Sequence, residues 1–128
     1  MDATAHLNDA RGDDFCYLTT RGRRTGTPHE IEIWFAAAGT TIWMLSGGAE
    51  RADWVRNLRT EPLVTVRIRD VTYDATARVE APDTDADRQA RSLLFAKYQP
   101  RTTGSLEQWR DTALVVTVTV TTSPGLDR

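Results

Sequence analysis

The residues with the clearest chemical potential form one arginine-rich stretch, Arg21–Pro28, which reads RGRRTGTP. Guanidinium groups recognise phosphate and carboxylate oxygens through forked N–H donors. Gly22 and Gly26 would let the backbone of such a loop approach a ligand closely. The stretch therefore predicts either a solvated turn or an anion-binding loop, and these residues alone leave both interpretations open.

A second group of arginines lies in a segment of helical periodicity that follows Gly47 and Gly48. Arg56 and Arg59 are neighbours on one face of that helix, because residues three positions apart lie side by side. The free N–H groups at a helix start attract negative charge. A phosphate held by the loop and the helix start would be stabilised by guanidinium and amide donors together, but a solvated turn explains the same residues, so both interpretations stay open.

Most familiar catalytic patterns are absent from the sequence. His6 and His29 are the only histidines and Cys16 is the only cysteine, so a metal site would be short of ligands. The segment Ser46–Gly48 lacks the spacing of a nucleophile elbow. Four tryptophans are many for a small chain and suit a flat heterocyclic ligand, although core packing explains some of them equally well.

Composition narrows the class of protein further. A net charge of −2 over 128 residues argues against a nucleic-acid-binding protein. No apolar run approaches the ~20 residues that span a bilayer, and the acidic N-terminus does not resemble a signal peptide. A single cysteine fits a reducing compartment. We therefore expect a cytoplasmic protein without stable membrane insertion.

The elements that must position these residues are mostly strands joined by short turns. Such a pattern favours an antiparallel sheet that curls into a small barrel, within an α+β fold of about six strands and two helices. Residues 1–12 show no apolar period and are expected to form a flexible arm, with residues 13–128 as a single domain. The predicted strands are Phe15–Thr20, His29–Ala37, Thr40–Leu45, Leu63–Arg69, Val71–Ala81 and Ala113–Val120.

The two predicted helices have clear start or stop signals. The first contains Trp54 and Leu58 and is blocked by Pro62. The second begins at an N-cap residue, Thr84, and we expect Ala90, Leu93, Leu94 and Lys97 to form one stripe along it.

Alternation within the second predicted strand assigns its two faces. Ile31, Ile33 and Phe35 face one side, and Trp34 faces the other. An outward-facing Trp34 would suit a contact between two copies of the chain, so a homodimer is a further expectation.

Three segments, YLTTRGRRTGTPHEIEIWF, LSGG and DWVRNLRTEPLVTVRI, occur in this order. Together they resemble the deazaflavin-dependent nitroreductase and quinone reductase family, which consists of split β-barrel relatives of the pyridoxamine 5'-phosphate oxidases. The match is close from Tyr17 to Val79 and weaker beyond. It implies an FMN-binding split-barrel fold and coenzyme F-420, a hydride carrier with a phosphate and an oligoglutamate tail.

The resemblance also implies site residues. The arginine loop would contact the phosphate and tail, the glycine turn would lie along the deazaflavin ring, and the following helix would complete the cofactor wall. A tyrosine, Tyr98, is the candidate proton donor. The implied cofactor-binding residues are Arg23, Arg24, Thr25, Gly26, Ser46, Gly47, Gly48, Trp54, Arg56 and Asn57, with no metal ligand.

The activity implied is hydride transfer from reduced F-420 to an electron-poor small molecule such as an enone, a quinone or a nitro compound. Two alternatives remain at this level. One is a split-barrel oxidoreductase that binds FMN, and the other is a non-catalytic F-420 carrier protein.

Overall fold

One curled antiparallel sheet of seven strands forms the body of the protein, in a computed structural model that describes residues 3–121. The strands are β1 (Cys16–Arg21), β2 (Pro28–Ile33), β3 (Ala36–Ala38), β4 (Thr41–Ser46), β5 (Leu63–Ile68), β6 (Val71–Val79) and β7 (Leu114–Val120). The helices are α1 (Ala3–Ala10), α2 (Asp53–Thr60), α3 (Asp85–Tyr98) and α4 (Glu107–Thr112), with 3-10 turns at Ala49–Arg51 and Gln99–Arg101.

The sheet is an almost closed barrel with a split. The spatial strand order is β2-β1-β5-β6-β7-β4-β3, and every neighbouring pair is antiparallel. Strands β2 and β3 are separated in the chain by only Trp34 and Phe35 but lie at opposite ends of this order. The two ends of the sheet must therefore meet, because two residues span only about 7 Å. This confirms the predicted α+β split β-barrel.

The second predicted strand, His29–Ala37, is divided into two strands in the structure. The division falls at Phe35, whose side chain is fully buried and whose N–H donates to the Tyr98 hydroxyl (3.0 Å) instead of a sheet partner. Alternation continues through this position, so the sequence pattern did not reveal the break. The result is seven strands rather than about six.

The N-terminal segment is a helix, and the expected flexible arm is wrong for residues 3–10. Leu7 and Ala10 of α1 are buried in the main core, and the Nδ1 atom of His6 is hydrogen-bonded to the hydroxyl of Tyr73 in β6. A helix of eight residues shows too few apolar positions for a period to be detected, so its docking was not evident from the sequence. Met1 and Asp2 lie outside the described residues.

Helix α3 begins as predicted. The side-chain oxygen of Thr84 accepts a hydrogen bond from the main-chain N–H of Asp87 (3.1 Å), which is the N-cap arrangement. Ala90 and Leu94 are buried, whereas Leu93 is 38% exposed and lies outside the buried stripe. Helix α4 was not predicted from the sequence.

Trp34 does not face outward for a partner chain. Its ring stacks on Tyr98 (4.3 Å between centroids, 3° between planes) and contacts Trp109 edge-on (5.5 Å). These rings belong to a second apolar cluster, formed by β3, β4, β7, α3 and α4. The ring is thus packed within the protein rather than free on an outer face, and both a dimer contact of Trp34 and the homodimer stay predictions.

Two features are absent from the described residues. No helix between residues 3 and 121 is long and apolar enough to cross a membrane. Over the same residues, no group of three or more His, Cys, Asp or Glu side chains is placed to hold a metal ion.

Candidate functional site

A cleft of about 640 Å³ opens between the β1–β2 loop, strand β2 and one face of helix α2. We call it the arginine cleft. Its lining residues are Thr20, Gly22, Arg23, Arg24, Thr25, His29, Glu30, Ile31, Asp53, Trp54 and Asn57.

The β1–β2 loop is a tight turn shaped by its two glycines. The N–H of Gly22 donates to the carbonyl of Thr27, and the N–H of Gly26 donates to the carbonyl of Gly22, both at 2.8 Å. Gly26 has a φ of 74°, which side chains disfavour. A Cβ atom on Gly22 would lie 2.9 Å from Nε2 of His29. The backbone of the loop therefore requires glycine at position 26, whereas a side chain at position 22 would displace the exposed His29 ring.

Asn57 holds this loop against helix α2. Its side chain is buried, and its Oδ1 accepts hydrogen bonds from the main-chain N–H (3.1 Å) and from Nη1 (2.8 Å) of Arg23. Its Nδ2 donates to the hydroxyl of Thr20 (3.3 Å). Nη2 of Arg23 also contacts Oδ1 of Asp53 (3.3 Å). Arg23 is thus fixed in place by two residues of α2.

Arg24 is the exposed arginine of the cleft that has no such partner. Among residues 3–121, no carboxylate or other acceptor contacts its guanidinium group. The two carboxylates of the cleft are engaged elsewhere, since Asp53 contacts Arg23 and Glu30 contacts Arg67 (3.5 Å). Among the described residues, the positive charge of Arg24 is therefore the charge in the cleft that no ion pair neutralises.

Two apolar side chains also line the cleft. Trp54 of α2 and Ile31 of β2 are both half-buried, line the cleft and pack against the main core. A flat apolar surface beside guanidinium donors suits a ligand that has both an anionic group and a ring.

The glycine turn, formed by Ser46, Gly47 and Gly48, lies outside the arginine cleft. The hydroxyl of Ser46 is directed to the carbonyl of Ala49 (3.0 Å), and neither it nor the exposed Gly47 and Gly48 lines the arginine cleft. The 3-10 turn Ala49–Arg51 separates the glycines from α2, so the helix does not begin directly after Gly48 as expected. The arginine loop and the start of α2 meet in the cleft through Asp53 and Trp54, the first two residues of the helix, but the glycine turn does not line it.

The structure therefore divides the residues named from the sequence. Gly26 belongs to the arginine loop without lining the cleft, and Arg56 lies on the outer side of α2, where its Nε donates to the carbonyl of Glu50 (3.3 Å). The residues that meet in the arginine cleft are Arg23, Arg24, Thr25, Trp54 and Asn57.

Tyr98 is a structural tyrosine in this protein. Its hydroxyl donates to the carbonyl of Asp14 (2.7 Å), accepts from the N–H of Phe35 and lies 3.1 Å from the Phe35 carbonyl. The residue is 2% exposed, and burial raises the pKa of its hydroxyl to about 12. It does not line the arginine cleft. This position does not support the expected role of proton donor.

Five lining residues were not named from the sequence as parts of a site, namely Thr20, His29, Glu30, Ile31 and Asp53. Asp53 stands directly before Trp54 in the DWVRNL segment, so its place beside the cleft could have been inferred from its neighbour. His29 and Ile31 lie on β2, which reaches the cleft through its pairing with β1, the strand against which α2 packs.

Solved structures share this fold. The heme storage protein HutZ from Vibrio cholerae has a TM-score of 0.72 and 16% identity, with all of both chains covered. An F420-H2 dependent reductase, FDR-A, has a TM-score of 0.67 and 18% identity, covering 83% of this chain and 94% of the other. A putative pyridoxamine 5'-phosphate oxidase from Listeria innocua has a TM-score of 0.69 and 14% identity, covering 97% of each chain.

The sequence comparison adds the family. A model of the F420H(2)-dependent quinone reductase family matches residues 4–122, which includes the arginine loop, the glycine turn and helix α2. A match over this length confirms the resemblance drawn from the three sequence segments. The chain belongs to the F420H(2)-dependent quinone reductase family, a family of reductases that use coenzyme F-420.

Proposed function

We propose that this reductase transfers hydride from reduced F-420 to an electron-poor small molecule, such as an enone, a quinone or a nitro compound, and that the arginine cleft binds the acidic end of the cofactor. The observation that carries the proposal is the unpaired Arg24 beside the fixed Arg23. Family membership supports the cofactor and the class of reaction, and the acceptor belongs to the proposal.

The donors of the cleft fit the acidic part of F-420. Its phosphate and glutamate carboxylates need cationic and hydroxyl donors, and Arg24, Arg23 and the Thr25 hydroxyl supply them in one loop. The cleft volume, about 640 Å³, lies within the range of small-molecule sites. A ligand anion would also replace Asp53 as an ion-pair partner of Arg23, because the Asp53 side chain is largely exposed and can rotate away.

When bound, F-420 supplies the two-electron hydride chemistry, and the chain's own residues bind and orient it. Arg24 attracts the anionic group, and Asn57 keeps the loop from moving away from α2. Trp54 and Ile31 exclude water from one side of the cleft. Ser46, Gly47, Gly48 and Arg56 remain proposed contacts on the strength of the family pattern.

A fluorescence titration with F-420 tests the binding step. We expect Arg24→Met to weaken binding by about ten-fold, because a hydrogen bond to a charged group contributes roughly 1.5–3 kcal/mol. The difference should shrink at high salt, since exposed charges are screened. Arg11→Met is the matched control, because Arg11 is also exposed but lies outside the cleft.

Two further outcomes would contradict the proposal. FMN has a phosphate but no glutamate tail, so equal binding of FMN and F-420 with no effect of Arg24→Met would point to a flavin protein. Saturable F-420 binding without turnover of any enone, quinone or nitro acceptor would favour a carrier protein.

The proposed contact of the glycine turn with the cofactor has its own test. Amide NMR signals of Gly47 and Gly48 that do not shift on F-420 addition would remove the glycine turn from the site.

A further inference from the structure

A second cleft, of about 480 Å³, lies between the C-terminal half of α2 and the end of β6. It shares no lining residue with the arginine cleft. We call it the Glu80 groove. Its lining residues are Glu50, Leu58, Arg59, Pro62, Ala77, Arg78, Val79, Glu80, Ala81, Pro82 and Leu114.

Glu80 is the polar group most deeply set in this groove. Its side chain is only 11% exposed, and its main-chain N–H donates to the carbonyl of Val115 (3.0 Å), which fixes the backbone. Its Oε2 accepts from the hydroxyl of Thr117 (2.6 Å) and from Nε of Arg78 (3.0 Å). The carboxylate is therefore held in one orientation by two neighbours on the sheet.

The second oxygen of the same carboxylate, Oε1, accepts no hydrogen bond from the described residues. Among residues 3–121, no donor contacts Oε1 of Glu80. In the same part of the chain, no fully buried side-chain polar atom lacks a partner, so Oε1 keeps some contact with solvent. A carboxylate oxygen in apolar surroundings is a strong acceptor, because the local dielectric constant is low.

The charges around the groove are balanced. Arg78 contacts Glu80, and Arg59 lies 3.9 Å from Glu50, so two carboxylates face two guanidinium groups. A cationic ligand would therefore gain little from the groove as a whole. A neutral donor that satisfies Oε1 and covers the side chains of Leu58 and Leu114 fits it better.

We propose that the Glu80 groove binds an apolar small molecule that carries a neutral hydrogen-bond donor, such as a phenol or an alcohol, with its O–H group donating to Oε1 of Glu80. Such a ligand differs in its chemistry from the acceptors of the proposed reductase. Quinone and nitro groups offer only acceptor oxygens, which a carboxylate repels.

The binding of 4-ethylphenol, followed by two-dimensional amide NMR without F-420, tests the proposal. The matched probe is 4-ethylanisole, which has nearly the same shape but no O–H donor. We expect 4-ethylphenol to shift the amides of Leu58, Val79, Glu80 and Leu114 at millimolar concentration. The ether should bind about five-fold more weakly, the loss expected for one hydrogen bond of about 1 kcal/mol.

The variant Glu80→Gln tests the anchor, with Glu107→Gln as the control. Glu107 is exposed on α4 and lies outside the groove, so the same loss of charge there should leave binding unchanged. Glu80→Gln should bind 4-ethylphenol about five-fold more weakly, because a charged acceptor becomes neutral. The melting temperature of each variant checks that it is folded.

Three results would overturn the proposal. Equal affinity for the phenol and the ether in the unchanged protein, a comparison that needs no variant, would show that Oε1 is not the anchor. Shifts confined to other amides would place the probe elsewhere. Groove amides that shift on concentrating the protein alone would show that a second copy of the chain covers the groove. Because F-420 is absent throughout, these results are independent of the proposed reductase activity.

Discussion

The side-chain oxygen of Asn57 accepts two hydrogen bonds from Arg23, one from the main-chain N–H and one from the guanidinium group, across 34 positions of sequence. With the further bond from Nδ2 to Thr20, this buried amide joins helix α2 to strand β1 and to the arginine loop. Asn57 therefore positions the cleft's donors. The contact with a cofactor falls to Arg24, Arg23 and Thr25.

We expect Asn57→Ala to destabilise the protein by about 2 kcal/mol, because it leaves the Arg23 N–H and the Thr20 hydroxyl without their partner. F-420 affinity should fall as well, since the loop loses its attachment. Urea denaturation and a fluorescence titration measure the two effects. Asn8→Ala is the control, because Asn8 is exposed on α1 and such changes usually stay within about 0.5 kcal/mol. Equal stability of the two variants would contradict this role.

The loop conformation depends on the left-handed backbone of Gly26. We expect Gly26→Ala to cost about 1 kcal/mol of unfolding free energy, because an alanine at a φ of 74° is strained. Gly12→Ala is a suitable comparison, since a Cβ atom there has no neighbour within 4 Å and needs no left-handed backbone. If the two variants had the same free energy of unfolding, the loop would not be held in this left-handed conformation.

Lys97, the only lysine of the chain, should titrate far below its usual range. Burial lowers the pKa of its amine to about 8, and nearby Arg101 adds to the effect. Only the neutral amine is acylated, so the reaction at Lys97 in the folded protein should reach half its maximal rate near pH 8, and in urea near pH ~10.4. Peptide mapping by mass spectrometry separates this site from the N-terminal amine. Half-maximal rate near pH ~10 in the folded protein would contradict the prediction.

The same pKa shift has a consequence for stability. Between pH 8 and about 10.4 the unfolded chain binds more protons at Lys97 than the folded protein does, so this group's contribution to stability rises with pH in that window. Lys97→Met should remove the rise. Denaturation curves at three pH values across the window measure it, and an unchanged slope in Lys97→Met would show that another group is responsible.

Tyr98→Phe separates a structural role from a catalytic one. Removing the hydroxyl deletes its bond to the Asp14 carbonyl and leaves the Phe35 N–H without an acceptor, so we expect a loss of about 1–3 kcal/mol. F-420 affinity and turnover at a temperature where the variant is folded should not change. Lost turnover with normal stability would restore Tyr98 as a proton donor.

The barrel and the arginine loop followed from the sequence because their determinants are local. Alternation with period two identifies strands such as Val71–Val79, whatever lies beside them. Thr84 caps its helix through a bond that spans three residues. Glycines flanking arginines predict a turn that presents cations. The ordered set of motifs also predicted the family, and the family implied the cofactor.

Only the tertiary structure decided which residue of the site has which role. Asn57, Asp53 and Trp54 are helix neighbours, but which of them contacts Arg23 depends on how α2 packs against β1. Tyr98 became structural because Asp14 and Phe35, 84 and 63 positions away, offer it main-chain partners. Such contacts between distant parts of the chain leave no local pattern, since their energy depends on positions that exist only once the barrel has closed.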